Sequence, residues 1–241
     1  MSKELNVYVV LLTWKRIPML KKTLEMLRRQ THKDFTVHIS NGNLPRKESI
    51  EKVAEMYRAT GLNIQVSHDG NDQFAFRRFT VGRELAKQGA DVVMFIDDDI
   101  TFKDRYIEKC LEQYEPKTYK SGFAWSFQRG GQDYYRYRTR HWDNKQTIHY
   151  CGTGISMIDA KIFLEPGLLD APEEAYKIED VWLSYYAQHV MKWKVLYMET
   201  PGVIIGGSDN VALFKDILAS KYNKADFLRL LIKKYGWRLK A

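Results

Sequence analysis

Three consecutive carboxylates, Asp97, Asp98 and Asp99, close the run VVMFI and are followed by Ile100 and Phe102. Five apolar residues of strand type lead into them, so the acids stand against a core that normally excludes charge. Side by side they repel one another, and each raises its neighbours' pKa. A divalent cation is the simplest partner for such a cluster, because Mg2+ or Mn2+ takes oxygen ligands and bridges to substrate phosphates. A helix N-cap or a solvated turn is the plain structural alternative. About eighty residues later, YKIEDVWLSYYA places Glu179 and Asp180 at the start of a helical stretch. Acids in a first turn are favoured by the helix dipole. Facing a crevice, the same pair could act as a general base toward a hydroxyl nucleophile.

Other chemistries lack their residues. No GxGxxG follows the first strand, no GxxxxGK[ST] is present, and no HExxH appears. The six histidines show no ligand spacing. A phosphatase with a nucleophilic Asp at its first strand would need an acid near Thr13, and none is there.

The elements that must position these acids alternate along the first hundred residues. NVYVVLLTW, FTVHIS, NIQVSHD and DVVMFIDDD read as buried strands. Between them, IPMLKKTLEMLRRQT, residues 46–59 and FAFRRFTVGRELAKQGA read as helices, the last stopping at Gly89. Strand–helix alternation argues a parallel sheet covered by helices. Ligands bind such sheets beyond the carboxyl ends of the strands, which is where Asp97–Asp99 lie. After Lys103 the pattern loosens into the helix RYIEKCLEQY, the strand SGFAWSFQR and the polar aromatic connection GGQDYYRYRTRHWDNKQ. TIHYCGTGISMID follows as one strand with a glycine-marked bend, then the helix IEDVWLSYYAQHVM, the strand KWKVLYM and a basic amphipathic C-terminal helix.

The 241 residues, 44% hydrophobic and 28% charged, fit one large globular domain. No apolar run approaches the roughly 20 residues that span a bilayer, and the N-terminus reads as a first strand, not a signal peptide. Two cysteines, Cys110 and Cys151, cannot build a disulfide framework, which implies a reducing compartment. The net charge of +8 is uneven: residues 215–241 hold eight Lys or Arg against two Asp. Basic patches attract nucleic acid, anionic lipid or phosphorylated molecules, although most charge runs are solvated faces.

Taken together, the motifs resemble a GT-A fold glycosyltransferase of the family 2 group over roughly residues 5–205. VYVVLLTWKRIPMLKKTLEMLRRQTHKDFTVHISNGN resembles that family's opening, DVVMFIDDDI its DxD strand, CGTGISMIDAKIF its Gly-rich acceptor-side segment, and IEDVWLSYYA its ED motif. The resemblance implies an α/β, Rossmann-like single domain with a mostly parallel central sheet and helices on both faces. Residues 1–103 would form the nucleotide-sugar half, 104–210 the acceptor side, and 211–241 a basic helical tail. It implies Thr13 and Arg16 at the nucleotide pocket. Ser40, where the family usually has an Asp, and Asn41 would lie near the base or ribose. Asp97 would lie near ribose and metal, and Asp99 would bind the metal, Mn2+ or Mg2+. Asp180 would be the catalytic base, with Glu179 holding the acceptor or the Asp98 side of the site. Gly152 and Gly154 would let backbone approach the donor sugar. The family's metal-binding His after the last strand is missing from PGVIIGGSDN; Asp209 or water would substitute, or Asp99 and phosphates alone would hold the metal.

The implied activity is metal-dependent, inverting transfer of a sugar from a nucleoside diphosphate sugar, UDP-sugar favoured, to a hydroxyl of a glycan, glycoprotein or lipid-linked acceptor. The competing readings are a non-catalytic nucleic-acid-binding module and a metal-dependent phosphoester hydrolase or nucleotidyltransferase. The first leaves the DDD strand end and the ED helix unexplained; the second would use the same acids but release phosphate or pyrophosphate rather than nucleoside diphosphate, and no nucleic-acid partner is expected. DYYRYRTRHW reads as an acceptor contact, since Tyr and Trp faces stack on sugars and Arg pairs with phosphate or carboxylate, or else as a surface loop. Trp125 and Trp182 read as core. Arg77 and Arg78 read as reaching the diphosphate or, at least as readily, as a solvated helical face. For the tail, Ile217, Leu218, Phe227, Leu228, Leu231 and Ile232 supply an apolar side that packs on the domain, with peripheral contact to an anionic membrane as the functional alternative. The expected location is cytoplasmic, at a membrane surface if that contact forms.

Overall fold

A computed structural model describes residues 4–70, 73–128, 134, 136, 138–205 and 224–239. Asp209, Ile217 and Leu218, singled out above, lie outside the described residues. The first half follows the expected alternation: β1 (Val7–Thr13), α1 (Ile17–Arg28), β2 (Thr36–Asn41), α2 (Lys47–Arg58), β3 (Ile64–His68), α3 (Arg77–Lys87) and β4 (Val92–Ile96). The second half holds β5 (Ile100–Thr101), α4 (Tyr106–Leu111), β6 (Thr118–Ser121), β7 (Ala124–Phe127), β8 (Arg138–His141) and β9 (Tyr150–Cys151). It continues with β10 (Ile155–Asp159), α5 (Pro166–Leu169), α6 (Glu179–Tyr185), β11 (Lys194–Tyr197), β12 (Ile204–Ile205) and α7 (Lys224–Lys233).

The central sheet has the order β11-β6-β10-β4-β1-β2-β3. It is parallel except where β10 runs against both β4 and β6. Period-2 alternation splits β1 between two cores: Val7, Val9 and Leu11 face α1, α2 and α4, while Tyr8 and Val10 face α3, α6 and α7. Helices therefore cover both faces. β4 lies in the middle of the sheet with all five residues buried, which explains its uninterrupted apolar run.

Two small antiparallel sheets flank this one. β8-β7-β9 draws its strands from residues 124–151, and β12 pairs with β5 immediately after the three acids. The segment TIHYCGTGISMID, expected as one bent strand, is two strands in different sheets: β9 pairs with β7 and β10 enters the central sheet. The break falls at Gly152–Gly154, where the chain turns across the carboxyl end of β4. The connection expected at RYRTRHW contains β8. Among the described residues no helix is long and apolar enough to cross a membrane.

Candidate active site

β4 ends at Ile96 and delivers the acids into a turn: Asp97 N–H donates to Gly154 O at 2.8 Å, and Ile100 N–H donates back to Asp97 O at 3.2 Å. Parallel β1 ends beside it, and Arg16, just past that end, pairs through Nη2 with Asp98 Oδ1 at 2.5 Å. Burial pushes the Asp98 carboxyl up to about 6 against the pull of Arg16, with Asp97 and Asp99 adding to the rise. Gly154 leaves the room Asp97 occupies: a Cβ there would lie 2.1 Å from Asp97 Oδ2. At Gly152 a Cβ would meet Phe123 Cβ at 3.1 Å. The two glycines thus make space for side chains of the site's own walls.

Arg78 overturns the reading of a solvated helical face. It enters from α3, is 7% exposed, and lies between the two acid motifs. Its Nη2 donates to Asp97 Oδ1, and its Nη1 donates to Glu179 Oε1 at 2.6 Å. Burial works against this guanidinium's charge, but Asp97 and Glu179 outweigh it and raise its pKa. Glu179 also accepts from Thr153 Oγ1 at 2.7 Å. Burial raises the Glu179 carboxyl, and Arg78 opposes that rise. Arg77 is buried too, against the Gly42 backbone, and its Nη2 donates to Asp69 O at 3.1 Å.

Asp180 opens the same helix but meets different partners. Its Oδ2 accepts from the Tyr150 hydroxyl and from Lys224 Nζ, the latter at 2.5 Å, while Oδ1 accepts from Val181 N–H at 2.9 Å. Lys224 also donates to Tyr150 Oη at 2.9 Å. For Lys224, burial opposes the charge and Asp180 more than restores it, so its pKa rises. The tail helix α7 thus supplies a site contact as well as the packing of Phe227, Leu228 and Leu231. Tyr150, Thr153 and Lys224 were missed by sequence reasoning. Tyr150 and Thr153 border the Gly-rich segment, a signal available in hindsight, whereas nothing local to Lys224 marks it.

At the other end of the crevice, Thr13 and Ser40 are buried, and their hydroxyls have no hydrogen-bond partner among the described residues. Buried polar groups are nearly always satisfied, so these two call for a ligand atom or water. Asn41 is spent on its own turn: Oδ1 accepts from Asn43 N–H at 2.8 Å, and Nδ2 reaches Asn43 O and His68 Nδ1. Trp182 is core as expected, its Nε1 donating to Leu168 O at 2.9 Å. Trp125 is partly buried against the same core.

The donor set suits a hard cation that also binds phosphate. Asp97 and Asp99 offer carboxylate oxygens, yet among the described residues no three His, Cys, Asp or Glu side chains converge on one point. Asp97 is shared with Arg78 and Asp98 with Arg16. A cation at this turn would therefore complete its shell from substrate oxygens and water, the usual habit of Mg2+.

A family model described as glycosyl transferase family 2 matches residues 8–165. No curated protein matches the chain by sequence. Among solved structures, GalNAc-T7 with UDP, GalNAc and Mn2+ is similar at TM-score 0.65 and 11% identity, over 99% of this chain and 55% of that one. The mannosyltransferase PcManGT from Pyrobaculum calidifontis, in complex with GDP-Man and Mn2+, gives TM-score 0.61 and 11% identity over 95% of this chain and 69% of its own. TarS from S. aureus gives 0.57 and 15% over 95% and 44%. The chain spans about half the length of GalNAc-T7 and of TarS. At these identities the likeness is one of fold.

Proposed function

The chain belongs to glycosyl transferase family 2 and has the GT-A fold, and from that premise we propose that it moves a sugar from a nucleoside diphosphate sugar, UDP-sugar favoured, to a hydroxyl of a glycan, glycoprotein or lipid-linked acceptor. The observation that carries this reading is the Arg78 bridge. It holds the Asp97 turn and the Glu179–Asp180 helix start at one place, as a reaction between a diphosphate donor and a hydroxyl acceptor requires.

In this reading the nucleotide lies across the carboxyl ends of β1 and β2, where Thr13 and Ser40 carry unsatisfied hydroxyls and Arg16 sits. Asp180 is the general base. It takes the proton of the acceptor hydroxyl as that oxygen attacks the anomeric carbon and the bond to the diphosphate oxygen breaks. Lys224 and the Tyr150 hydroxyl donate to its Oδ2 and fix its orientation. Glu179, locked by Arg78 and Thr153, is a positioning residue. Asp97 and Asp99 would hold Mn2+ or Mg2+, which when bound supplies positive charge to the leaving diphosphate. In this reading one displacement inverts the anomeric configuration, since Glu179, the carboxylate beside Asp180, is engaged by Arg78 and Thr153.

The single-domain division stays part of this proposal, supported by one central sheet that draws strands from both halves. So does a cytoplasmic location. A membrane contact by α7 would rest on charge, because its apolar side is buried. The test is turnover: incubation with a panel of UDP- and GDP-sugars and acceptor mixtures, following nucleoside diphosphate release and the anomeric proton of the product by NMR. Inverted product from one donor supports the reading; release of nucleoside monophosphate and sugar 1-phosphate instead would move the chain to the hydrolase class.

A further inference from the structure

Beside the acid turn lies a second concavity, about 370 Å³, walled by Phe123, Arg140, Trp142, Tyr197, Thr200 and Val203. It shares structure with the candidate active site on two sides. Ile155, also in its wall, follows the Gly154 that holds Asp97 N–H, and Ile205 pairs with Ile100 directly after Asp99.

Among the described residues of that wall Arg140 is the one cation. Its guanidinium lies over the Trp142 ring at 4.0 Å, with Phe123 at 5.2 Å and Trp125 at 5.5 Å. Its polar atoms are poorly provided for. Nη2 reaches only Gly122 O at 3.4 Å, and Nε is buried with no hydrogen-bond partner among the described residues. No described carboxylate lies within ion-pair distance of it, although Glu199 borders the same concavity. The two arginines at the acid turn differ: Arg16 and Arg78 are both committed to carboxylates. Aromatic faces hold Arg140 in place without using its donor fork, which suits bidentate binding of an oxyanion. Trp142, 64% exposed, offers a flat face alongside it for a sugar ring.

We propose that this concavity is the acceptor subsite and that it selects an acceptor bearing an anionic group, a phosphate or a carboxylate, on or next to the sugar that carries the reacting hydroxyl. Arg140 binds the anion, and Trp142 stacks on the ring. This rests on the glycosyl-transfer reading of the neighbouring site, since only that reading calls for a hydroxyl acceptor here.

The experiment is calorimetric titration of the full chain with glucose 6-phosphate, glucuronate, glucose and inorganic phosphate, each with and without UDP. The same titrations are run on Arg140→Gln, Arg140→Lys and Trp142→Ala, after thermal melts establish that each variant folds. We expect one anionic sugar to bind at least tenfold tighter than both glucose and inorganic phosphate. Arg140→Gln removes that preference, Arg140→Lys restores part of it, and Trp142→Ala weakens both sugars together. Whether the phosphate or the carboxylate sugar wins identifies the anion. Equal binding of all three sugars, or a preference that survives Arg140→Gln, overturns the proposal. Phosphate binding as tightly as glucose 6-phosphate means an adventitious ion only, which also overturns it. UDP binding is read in separate titrations, so loss of the nucleotide-sugar reading is distinguishable from loss of the anionic subsite.

Discussion

Arg78 donates one guanidinium nitrogen to Asp97 and another to Glu179, one residue from each of the two acid motifs. Carboxylates this close, Glu179 buried and Asp97 partly exposed, would otherwise repel, and a single buried cation reconciles them. Removing it leaves two acids without their shared partner. Arg78→Met is expected to cost about 3–5 kcal/mol of stability, in the range for breaking a buried ion pair. Urea unfolding of both proteins measures this. A loss under 1 kcal/mol would mean that the bridge does not form in solution.

Gly154→Ala should separate site from fold. The added methyl overlaps Asp97 Oδ2, so the carboxylate must swing out of its position. An overpacked site typically costs 1–3 kcal/mol, a loss that leaves the chain folded. Circular dichroism should show native secondary structure, while nucleoside diphosphate release falls by more than tenfold.

Asp180 is expected to contribute as a general base, which is typically worth 10²–10⁴-fold in rate. Asp180→Asn should lower kcat by that order with little change in donor KM. Lys224→Met removes the ammonium that donates to Asp180 Oδ2 and leaves that carboxylate to Tyr150 and Val181. Its kcat should fall with donor KM little changed, and Lys224→Arg should restore part of it. A purely structural Lys224 would lower stability and leave the kcat of the folded chain where it is.

His38 sets a pH dependence of stability away from the acids. Burial lowers its pKa below the ordinary 6.5, while Nε2 sits 2.9 Å from Ser67 Oγ. Below pH 6.5 the unfolded chain binds a proton that the folded chain resists, so this group's stabilising contribution is present above that pH and lost as pH falls through the window. Melting temperatures from pH 8 to pH 5 should fall more steeply in the native chain than in His38→Gln.

The sequence made the strand-borne half of this architecture readable because local pattern and tertiary role agree there. β4 is an unbroken apolar run since both of its faces are covered, and the acids stand out by contrast with it. β6 escaped notice for the opposite reason. Thr118–Ser121 reads TYKS, yet it lies inside the sheet, with the Lys120 ammonium directed to Gln113 O and to Glu115 at 2.6 Å. β8 escaped for a related reason, since arginines stacked on aromatic rings replace the apolar alternation that marks a strand. Asp97, Asp99 and Asp180 could be picked out by type and order. The burial of Arg78 could not, because its two acids lie 19 and 101 residues away. Lys224 depends on how the tail helix packs against α6, a contact with no short-range signature.

The most direct test of the central claim is the melting temperature of the native chain and of Asp99→Ala with UDP, GDP and other nucleoside diphosphates, in Mn2+ or in EDTA. A ligand that binds only the folded state at 100 times its Kd stabilises it by about 2.7 kcal/mol. One diphosphate should raise the Tm by several degrees in Mn2+, and that rise should vanish in EDTA and in Asp99→Ala. Unchanged melting with every diphosphate, in a preparation whose melt shows a single cooperative transition, would mean that the acid turn does not hold a nucleotide donor.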